Sequence, residues 1–204
     1  MRKLTLTLAM LLVLSTGCAR AGGGGSGGDD DDDSTEAGDT VVVMETSLGT
    51  VEIEVFEDDA PATALNFLLY VDDGFYDGGD DLGATTFHRV VEDFVVQGGG
   101  FTAEGGLKET RDPIVNEAIA SGLSNTRGTL SMARTDAADS ATSQFFVNLV
   151  DNLFLDAGGS TEAGYSVFGE VVEGMDVIDT MGEVSVDGSD RPVTDVVITS
   201  MQRR

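Results

Sequence analysis

The sequence contains little cysteine, histidine or lysine, and the first two shortages each exclude a class of structure or chemistry. Cys18 is the only cysteine among 204 residues, so no disulfide can form within the chain. His88 is the only histidine, and no nucleophile elbow between a strand and a helix accompanies it. A hydrolase built on His88 therefore lacks a nucleophile, and a structural histidine within a strand is the favoured interpretation.

Basic residues are few, and this excludes two classes of partner. The chain has 11 Lys and Arg against 37 Asp and Glu, which gives a formal net charge of -26 at pH 7. Binding to nucleic acid and to anionic lipid headgroups depends on Lys and Arg, so neither is expected as an electrostatic ligand. The same charge makes copies of the chain repel one another, which favours a monomer.

The acidity is spread along most of the chain and is not confined to one run. From Thr40 to Arg204 there are 30 acidic and 8 basic residues, a net charge of -22. Self-repulsion of this size destabilises a compact state in dilute buffer. Molar salt shortens the Debye length to about 3 Å and screens it. The pattern predicts a protein from a salt-loving organism, and an ordinary acidic protein is the alternative.

Residues 1–17 have the pattern of a signal peptide. Arg2-Lys3 gives a positive start, and the run from Leu4 to Leu14 is apolar apart from two threonines. That run is shorter than the ~20 residues that a transmembrane helix needs. Ser15-Thr16-Gly17-Cys18 resembles a lipoprotein processing site, in which the cysteine becomes the lipidated N-terminus. We predict an exported protein that meets the membrane only through a lipid on Cys18; a plain secretory signal is the alternative.

Residues 18–39 are predicted to be a flexible linker that follows the lipidated cysteine. Gly22 to Gly28 is almost entirely glycine, and the aspartates Asp29 to Asp33 repel one another. Contiguous aspartates on such a backbone are not preorganised for a cation, so a solvated tether is favoured over a metal site. One folded domain, residues 40–204, then follows.

The pattern of residues 40–204 is mainly that of short strands. Strands are predicted over residues 40–46, 51–56, 85–97, 130–132, 145–149, 165–168 and 193–200. Helical spacing begins at Pro61 and stops at Asp72-Asp73-Gly74, with an acidic cluster just before it that suits a helix N-terminus. A second helical spacing runs from Val172 to Met181. Pattern alone leaves a barrel and a sandwich open, each with helical caps.

Two segments contain the candidate catalytic and binding residues. Phe87 to Phe101, with the sequence FHRVVEDFVVQGGGF, places an arginine, a phenylalanine and a glutamine a few residues apart. Gly128 to Arg134, followed by Ser143 to Asn148, adds a second amide and more aromatic surface. Together they resemble the catalytic face of a cyclophilin-type peptidyl-prolyl cis-trans isomerase, and the resemblance extends from Thr40 to about Met201. It implies a mainly β fold, a closed eight-stranded antiparallel barrel capped by two α-helices.

The resemblance implies that Arg89, Phe94 and Gln97 are the catalytic residues. Arg89 would donate to the prolyl nitrogen and hold the proline carbonyl in the twisted state. Substrate binding is implied for Val95, Ala133, Arg134, Gln144, Phe146, Phe154, Leu155 and Tyr165. The apolar members form a proline pocket, the amides fix the substrate backbone and the arginine, and Ala133-Arg134 acts through backbone groups. No cofactor or metal is needed, because the barrier of ~18–20 kcal/mol arises from amide resonance.

Three positions depart from the eukaryotic members and resemble the prokaryotic branch. Phe154 stands where many eukaryotic members have tryptophan, Tyr165 where they have histidine, and Val95 where they have methionine. Tight cyclosporin binding, which in the family depends on that tryptophan, is therefore not expected. Two roles stay open for Tyr165, a hydrogen bond to substrate or a wall of the pocket.

The partners implied are proline-containing segments of unfolded or exported proteins. The alternative is a non-catalytic proline-peptide-binding chaperone or scaffold at the cell surface. The presence of Arg89, Phe94 and Gln97 favours the enzyme.

Two further motifs have simpler interpretations than a ligand site. Gly98 to Gly100 lacks the Gly-Lys-Ser/Thr of a phosphate loop, so a tight turn and close backbone approach are predicted. The acidic loop from Asp72 to Asp81 lacks the spacing of an EF-hand, and a solvated loop is predicted there.

Overall fold

The computed structural model describes residues 40–204, which form a closed antiparallel barrel of eight strands. The order around the barrel is β1-β2-β7-β5-β6-β4-β3-β8. The strands are β1 (Thr40–Thr46), β2 (Gly49–Val55), β3 (Thr85–Val91), β4 (Val95–Thr102), β5 (Thr129–Met132), β6 (Phe145–Asn148), β7 (Val167–Glu173) and β8 (Val196–Arg203). The mainly β, eight-stranded barrel predicted above is confirmed.

The hairpin of β1 and β2 shows how alternation in the sequence sets the barrel wall. Val51, Ile53 and Val55 are buried while the residues between them are not, so one face of β2 lines the interior. The turn closes at Gly49, where the Thr46 hydroxyl donates to the Gly49 carbonyl at 2.8 Å. Register is therefore fixed by the inward-facing valines and isoleucine and by the turn.

Both predicted helices are present, and two short helical segments were not predicted. The α-helices are α1 (Pro61–Asp72), α2 (Ala118–Ser121) and α3 (Met175–Gly182), and a 3-10 helix spans Leu153–Leu155. Helix α1 packs against β7 and β8, and α3 packs against β2, β3 and β4. Phe67 and Leu68 of α1 and Ile178 and Met181 of α3 belong to the same buried core as the inward strand residues.

The N-terminus of α1 is capped from a distant part of the chain. The Glu117 carboxylate accepts the backbone N–H of Ala62 at 3.2 Å and of Thr63 at 2.8 Å. It also accepts the Thr63 hydroxyl at 2.7 Å. A carboxylate satisfies the free N–H groups of a first turn and complements the helix dipole. The acidic cluster at residues 57–59, which the sequence suggested for this role, makes no side-chain cap.

Several predicted boundaries are wrong. The predicted strand over residues 85–97 is two strands, β3 and β4, joined by a turn at residues 92–94. Strand β7 begins at Val167 and continues to Glu173, so residues 172 and 173 are strand and not the start of a helix. Gly174, at φ +86°, separates β7 from α3, a left-handed conformation that glycine adopts readily. The closing strand β8 begins at Val196 and ends at Arg203, three residues later at each end than predicted.

The acidic loop is more ordered than a solvated loop. The Lys108 ammonium donates to the carbonyls of Phe75 at 2.6 Å and Gly83 at 2.8 Å and pairs with the Asp80 carboxylate at 2.8 Å. Only 2% of the Lys108 side chain is exposed. Within residues 40–204, no group of three or more His, Cys, Asp or Glu side chains is placed to hold a metal ion. A buried lysine therefore anchors this loop.

The predicted signal peptide, the Cys18 lipidation site and the linker lie outside the described residues. Within residues 40–204 no helix is both long enough and apolar enough to cross a membrane.

Candidate active site

The outer face of the barrel places the predicted arginine, amide and aromatic side chains in one row. Arg89 on β3 lies opposite Gln97 on β4, and Gln97 lies opposite Phe146 on β6. Directly opposed residues in an antiparallel sheet project to the same face. Strand register therefore brings Phe146, which is about 50 residues further along the chain, beside Arg89 and Gln97.

The turn between β3 and β4 positions Phe94 beside the arginine. Asp93 adopts a left-handed conformation at φ 55°, which aspartate tolerates better than most residues. The Phe94 carbonyl then accepts the Leu149 N–H at 2.9 Å and the Asn152 side-chain amide at 3.0 Å. These bonds fix the Phe94 backbone, and the Arg89 guanidinium carbon lies 5.9 Å from the centre of its ring.

A cavity of about 270 Å³ opens on this face. Its lining is Arg89, Phe94, Val95, Gln97, Ala133, Arg134, Phe146, Leu155 and Tyr165. Val95, Phe146 and Leu155 form its buried apolar floor, with Phe94, Ala133 and Tyr165 packed against them. This floor is a cluster separate from the main core that fills the barrel.

A single, long ion pair restrains the Arg89 side chain. Its side chain is 39% exposed, and its Nε lies 3.8 Å from a carboxylate oxygen of Asp190. Asp190 has a left-handed backbone at φ 62°, and its carbonyl accepts the Val90 N–H at 2.8 Å, which holds this loop residue against β3. At that distance the ion pair orients the guanidinium but leaves its N–H groups able to donate to a ligand.

The two glutamines form one unit. The Gln97 side-chain amide donates to the Gln144 side-chain oxygen at 3.1 Å. Gln144 lies against Gly100, where an added Cβ would come within 2.5 Å of the Gln144 Cγ. Gly98 to Gly100 lie inside β4 and not in a turn, and the β3–β4 register shifts twice opposite this region. Close approach, as predicted, is what these glycines allow.

Gln144 and Phe154 lie beside the cavity. Gln144 lines an adjoining cleft of about 180 Å³ together with Thr135, Ser140 and Thr142. Phe154 is 52% exposed and stacks on Phe94, with ring centres 5.7 Å apart and planes at 20°. It extends the apolar edge of the site into solvent.

Tyr165 stands as a wall of the cavity. Its ring meets Phe146 edge-on with centres 5.7 Å apart, and the Arg134 guanidinium carbon lies 4.6 Å from the ring centre. Arg134 also donates from Nε to the Gly164 carbonyl at 2.9 Å. The arginine therefore holds the tyrosine and the preceding loop in place.

His88 occupies a structural position on β3. Its ring packs against Phe101 with centres 4.7 Å apart, and its buried Nδ1 has no hydrogen-bond partner within residues 40–204. Burial lowers the pKa of His88 from its ordinary value, and the nearby Arg191 and Arg89 charges act in the same direction. The imidazole is therefore neutral at pH 7.

Sequence reasoning missed Asp190 and the three polar residues of the adjoining cleft. Asp190 lies about 100 positions after Arg89 in a loop, and a lone aspartate there carries no pattern. Thr135, Ser140 and Thr142 belong to an irregular segment between β5 and β6 and show no periodicity. Tertiary contact, and not local sequence, brings all four to the site.

Comparison with known proteins gives the family. The model of the family described as "Cyclophilin type peptidyl-prolyl cis-trans isomerase/CLD" matches residues 41–203. The chain belongs to the cyclophilin-type peptidyl-prolyl cis-trans isomerase family. The outer-face cavity is thus the candidate active site of a cyclophilin-type isomerase.

Curated relatives carry the isomerase name. A peptidyl-prolyl cis-trans isomerase of Acinetobacter baylyi is 53% identical over 146 residues, which cover 72% of this chain and 73% of the relative. Peptidyl-prolyl cis-trans isomerase B of Escherichia coli is 48% identical over 167 residues, covering 79% of this chain and 98% of the relative. This cyclophilin is therefore an isomerase of prolyl peptide bonds.

Solved cyclophilin structures share the fold. A crystal structure of a Cryptosporidium parvum cyclophilin-type isomerase has a TM-score of 0.63 at 24% identity, covering 81% of this chain and 98% of that one. A second structure of that protein, in the presence of the dipeptide Ala-Pro, has a TM-score of 0.60 at 25% identity and covers 79% and 96% of the two chains.

Proposed function

We propose that Arg89 accelerates the isomerisation of X-Pro bonds by donating to the prolyl nitrogen within the outer-face cavity. The observation that supports this is a half-exposed guanidinium above an apolar floor, paired only loosely, at 3.8 Å, with Asp190. A more tightly paired arginine would have its donors occupied. This one can redirect them to a substrate.

The chemistry follows from amide resonance. A planar prolyl amide delocalises the nitrogen lone pair, and the barrier of ~18–20 kcal/mol reflects the loss of that delocalisation on twisting. In the twisted state the nitrogen becomes pyramidal and basic, so it accepts a hydrogen bond that the planar amide cannot. A donor fixed at that point stabilises the transition state more than the ground state, which is the condition for catalysis.

The apolar floor and the amide pair have separate tasks in this proposal. Val95, Phe146 and Leu155 hold the pyrrolidine ring in a medium that favours the less polar twisted amide. Gln97, braced by Gln144 at 3.1 Å, binds the substrate backbone so that one side of the prolyl bond stays fixed while the other turns.

The test measures exchange between cis and trans forms of an Ala-Pro test peptide by NMR, with the purified full-length protein in molar KCl. We expect Arg89→Ala to lower kcat/KM by about a hundredfold or more, as for loss of a single transition-state donor. The matched control is Arg111→Ala, because Arg111 has similar exposure at 42% and pairs with Asp73, outside the cavity. A wild-type protein that binds the peptide without accelerating exchange would instead indicate a peptide-binding chaperone.

We propose in addition that this isomerase acts on exported proteins, outside the cytoplasmic membrane, as a monomer held by a lipid on Cys18. Support comes from the leader pattern and from the net charge of -22 between Thr40 and Arg204, which opposes both self-association and electrostatic adhesion to lipid. In membrane fractionation of the native host, Cys18→Ser should move the protein from the membrane to the soluble fraction. Equal membrane association of both forms would contradict lipidation.

We propose finally that the protein is adapted to high salt. With 30 acidic and 8 basic residues from Thr40 onward, like charges repel across the whole surface. The free energy of unfolding and kcat/KM should both rise as KCl is increased from dilute buffer to about 1 M, where the Debye length is about 3 Å. Flat responses of both quantities would exclude this adaptation.

A further inference from the structure

The basic residues of the domain are almost all neutralised by carboxylates. Of the eight Lys and Arg between Thr40 and Arg204, seven lie within 4 Å of a carboxylate oxygen. The pairs are Arg89–Asp190, Lys108–Asp80, Arg111–Asp73, Arg127–Asp179, Arg191–Asp195, Arg203–Asp72 and Arg204–Glu52. Within these residues Arg134 alone has no such partner, although acidic residues outnumber basic ones by 30 to 8.

Arg134 is held rigidly, but only by neutral groups. Its Nε donates to the Gly164 carbonyl at 2.9 Å, one Nη to the Thr135 carbonyl at 2.8 Å, and the other Nη to the Thr161 hydroxyl at 2.9 Å. A guanidinium has five N–H groups, so these bonds leave two donors unused and the positive charge uncompensated.

The free charge of Arg134 lies at the candidate active site. Arg134 lines both the proline cavity and the adjoining cleft. Its guanidinium carbon is 4.6 Å from the centre of the Tyr165 ring, whose edge contacts Phe146 in the cavity floor. A proline seated on Phe146 would therefore present a flanking side chain to the guanidinium.

We propose that Arg134 makes acidic segments the preferred substrates, by pairing with a Glu or Asp side chain that flanks the proline. This rests on the proposed function, that the cavity binds X-Pro segments. A guanidinium is suited to the task because its planar donors match a carboxylate. Three hydrogen bonds already fix it, so little side-chain freedom is lost when the pair forms.

The overall charge of the domain opposes this preference only at long range. Thirty carboxylates repel an acidic peptide in dilute buffer. At about 1 M salt the Debye length is about 3 Å, so the distant charges are screened, and the contact between Arg134 and the substrate decides selectivity. Arg134 therefore favours acidic substrates at high salt, the condition in which an acidic protein is most stable.

The experiment compares NMR exchange rates of peptides that differ at the residue before the proline, with a second set that differs at the residue after it. Each set contains Glu, Gln and Lys, and the full-length protein is used in 1 M KCl. At one of the two positions we expect kcat/KM for Glu to exceed that for Gln by about twofold to fivefold, the size of a partly exposed ion pair. The Lys peptide should be slower than the Gln peptide.

Two variants separate a charge effect from a structural one. Arg134→Gln should make the Glu and Gln peptides equal, and Arg134→Lys should retain part of the Glu preference. Arg111→Gln is the matched control, since Arg111 also stacks on a tyrosine, Tyr70 at 5.7 Å, but lies outside the cavity. It removes the same charge and should leave the Glu to Gln ratio unchanged.

A spectroscopic readout covers the case in which an Arg134 variant fails to fold. In the wild-type protein the Arg134 Nε–H signal should shift on addition of the Glu peptide more than on addition of the Gln peptide. Equal shifts, equal rates for Glu, Gln and Lys peptides, or a Glu preference that survives in Arg134→Gln would overturn this inference. Failure to accelerate any peptide would instead overturn the proposed function.

Discussion

Lys108 and Arg89 are two cations that this protein places in opposite environments. Lys108 is buried, and two carbonyls and a carboxylate surround its ammonium at 2.6 to 2.8 Å. Arg89 is 39% exposed and faces one carboxylate at 3.8 Å. A cation whose donors are saturated contributes to stability, whereas a cation with spare donors can serve a ligand. The contrast separates the loop anchor from the candidate catalytic group.

The strongest test of this contrast is Lys108→Met. The methionine keeps much of the side-chain volume but leaves Asp80 and two carbonyls without their donor. Breaking a buried ion pair by removing one partner costs about 3 kcal/mol or more. We expect the free energy of unfolding to fall by about that amount in urea titrations. Arg89→Ala should change it by less than about 1 kcal/mol, the most that a partly exposed ion pair contributes. Comparable losses of unfolding free energy in the two variants would contradict the distinction between a stabilising cation and a ligand-binding one.

His88 extends the comparison to a buried base that has no hydrogen-bond partner at Nδ1 within residues 40–204. Burial holds its folded-state pKa below the ordinary value of about 6.5, so the unfolded chain binds a proton first as pH falls. The free energy of unfolding should therefore decrease from about pH 7.5 to 5.5. Because His88 is the only histidine, His88→Gln should remove that slope. An unchanged slope would show that other groups titrate in this window.

The smallest effect is expected at Asp190, the partner of Arg89. Asparagine also tolerates a left-handed backbone, so Asp190→Asn should keep the loop that carries φ 62°. It removes a charge pair of partly exposed groups, worth roughly 0.2–1 kcal/mol. We expect kcat/KM for the Ala-Pro peptide to fall by no more than about threefold, and Tm to fall by no more than about 4 °C. A loss of kcat/KM as large as that of Arg89→Ala would show that Arg89 cannot function without Asp190. The contrast with the fully bonded Lys108 would then fail.

Local pattern predicted much of the fold, and the misses share a cause. The alternation of β2 and the Pro61 start of α1 are short-range features, and both elements appear where they were predicted. The boundary between β7 and α3 depends on the left-handed Gly174, and the start of β8 depends on the pairing of Val196 with Phe87 of β3. Neither is encoded in hydrophobic spacing. Glu117 caps α1 across more than 50 residues, which no local rule reveals.

The candidate site was predicted from a resemblance and not from pattern. The structure gathers nine of the eleven named residues around one cavity, and the other two, Gln144 and Phe154, lie at its edge. Their roles stay predictions until the variants are measured. The Asp190 contact and the isolation of the Arg134 charge depend on how loops fold back onto the barrel, so they became visible only in three dimensions.

The pairing of β1 with β8 has a consequence for biosynthesis. Because β1 and β8 close the barrel, with Val42 opposite Arg203, the ring stays open until β8 has been made. Until then β1 and its growing neighbours present unpaired strand edges, the kind of surface on which nascent chains aggregate. The negative charge carried by every such intermediate would keep the unfinished molecules apart. The acidity of the chain thus has a use during synthesis, before the barrel has closed.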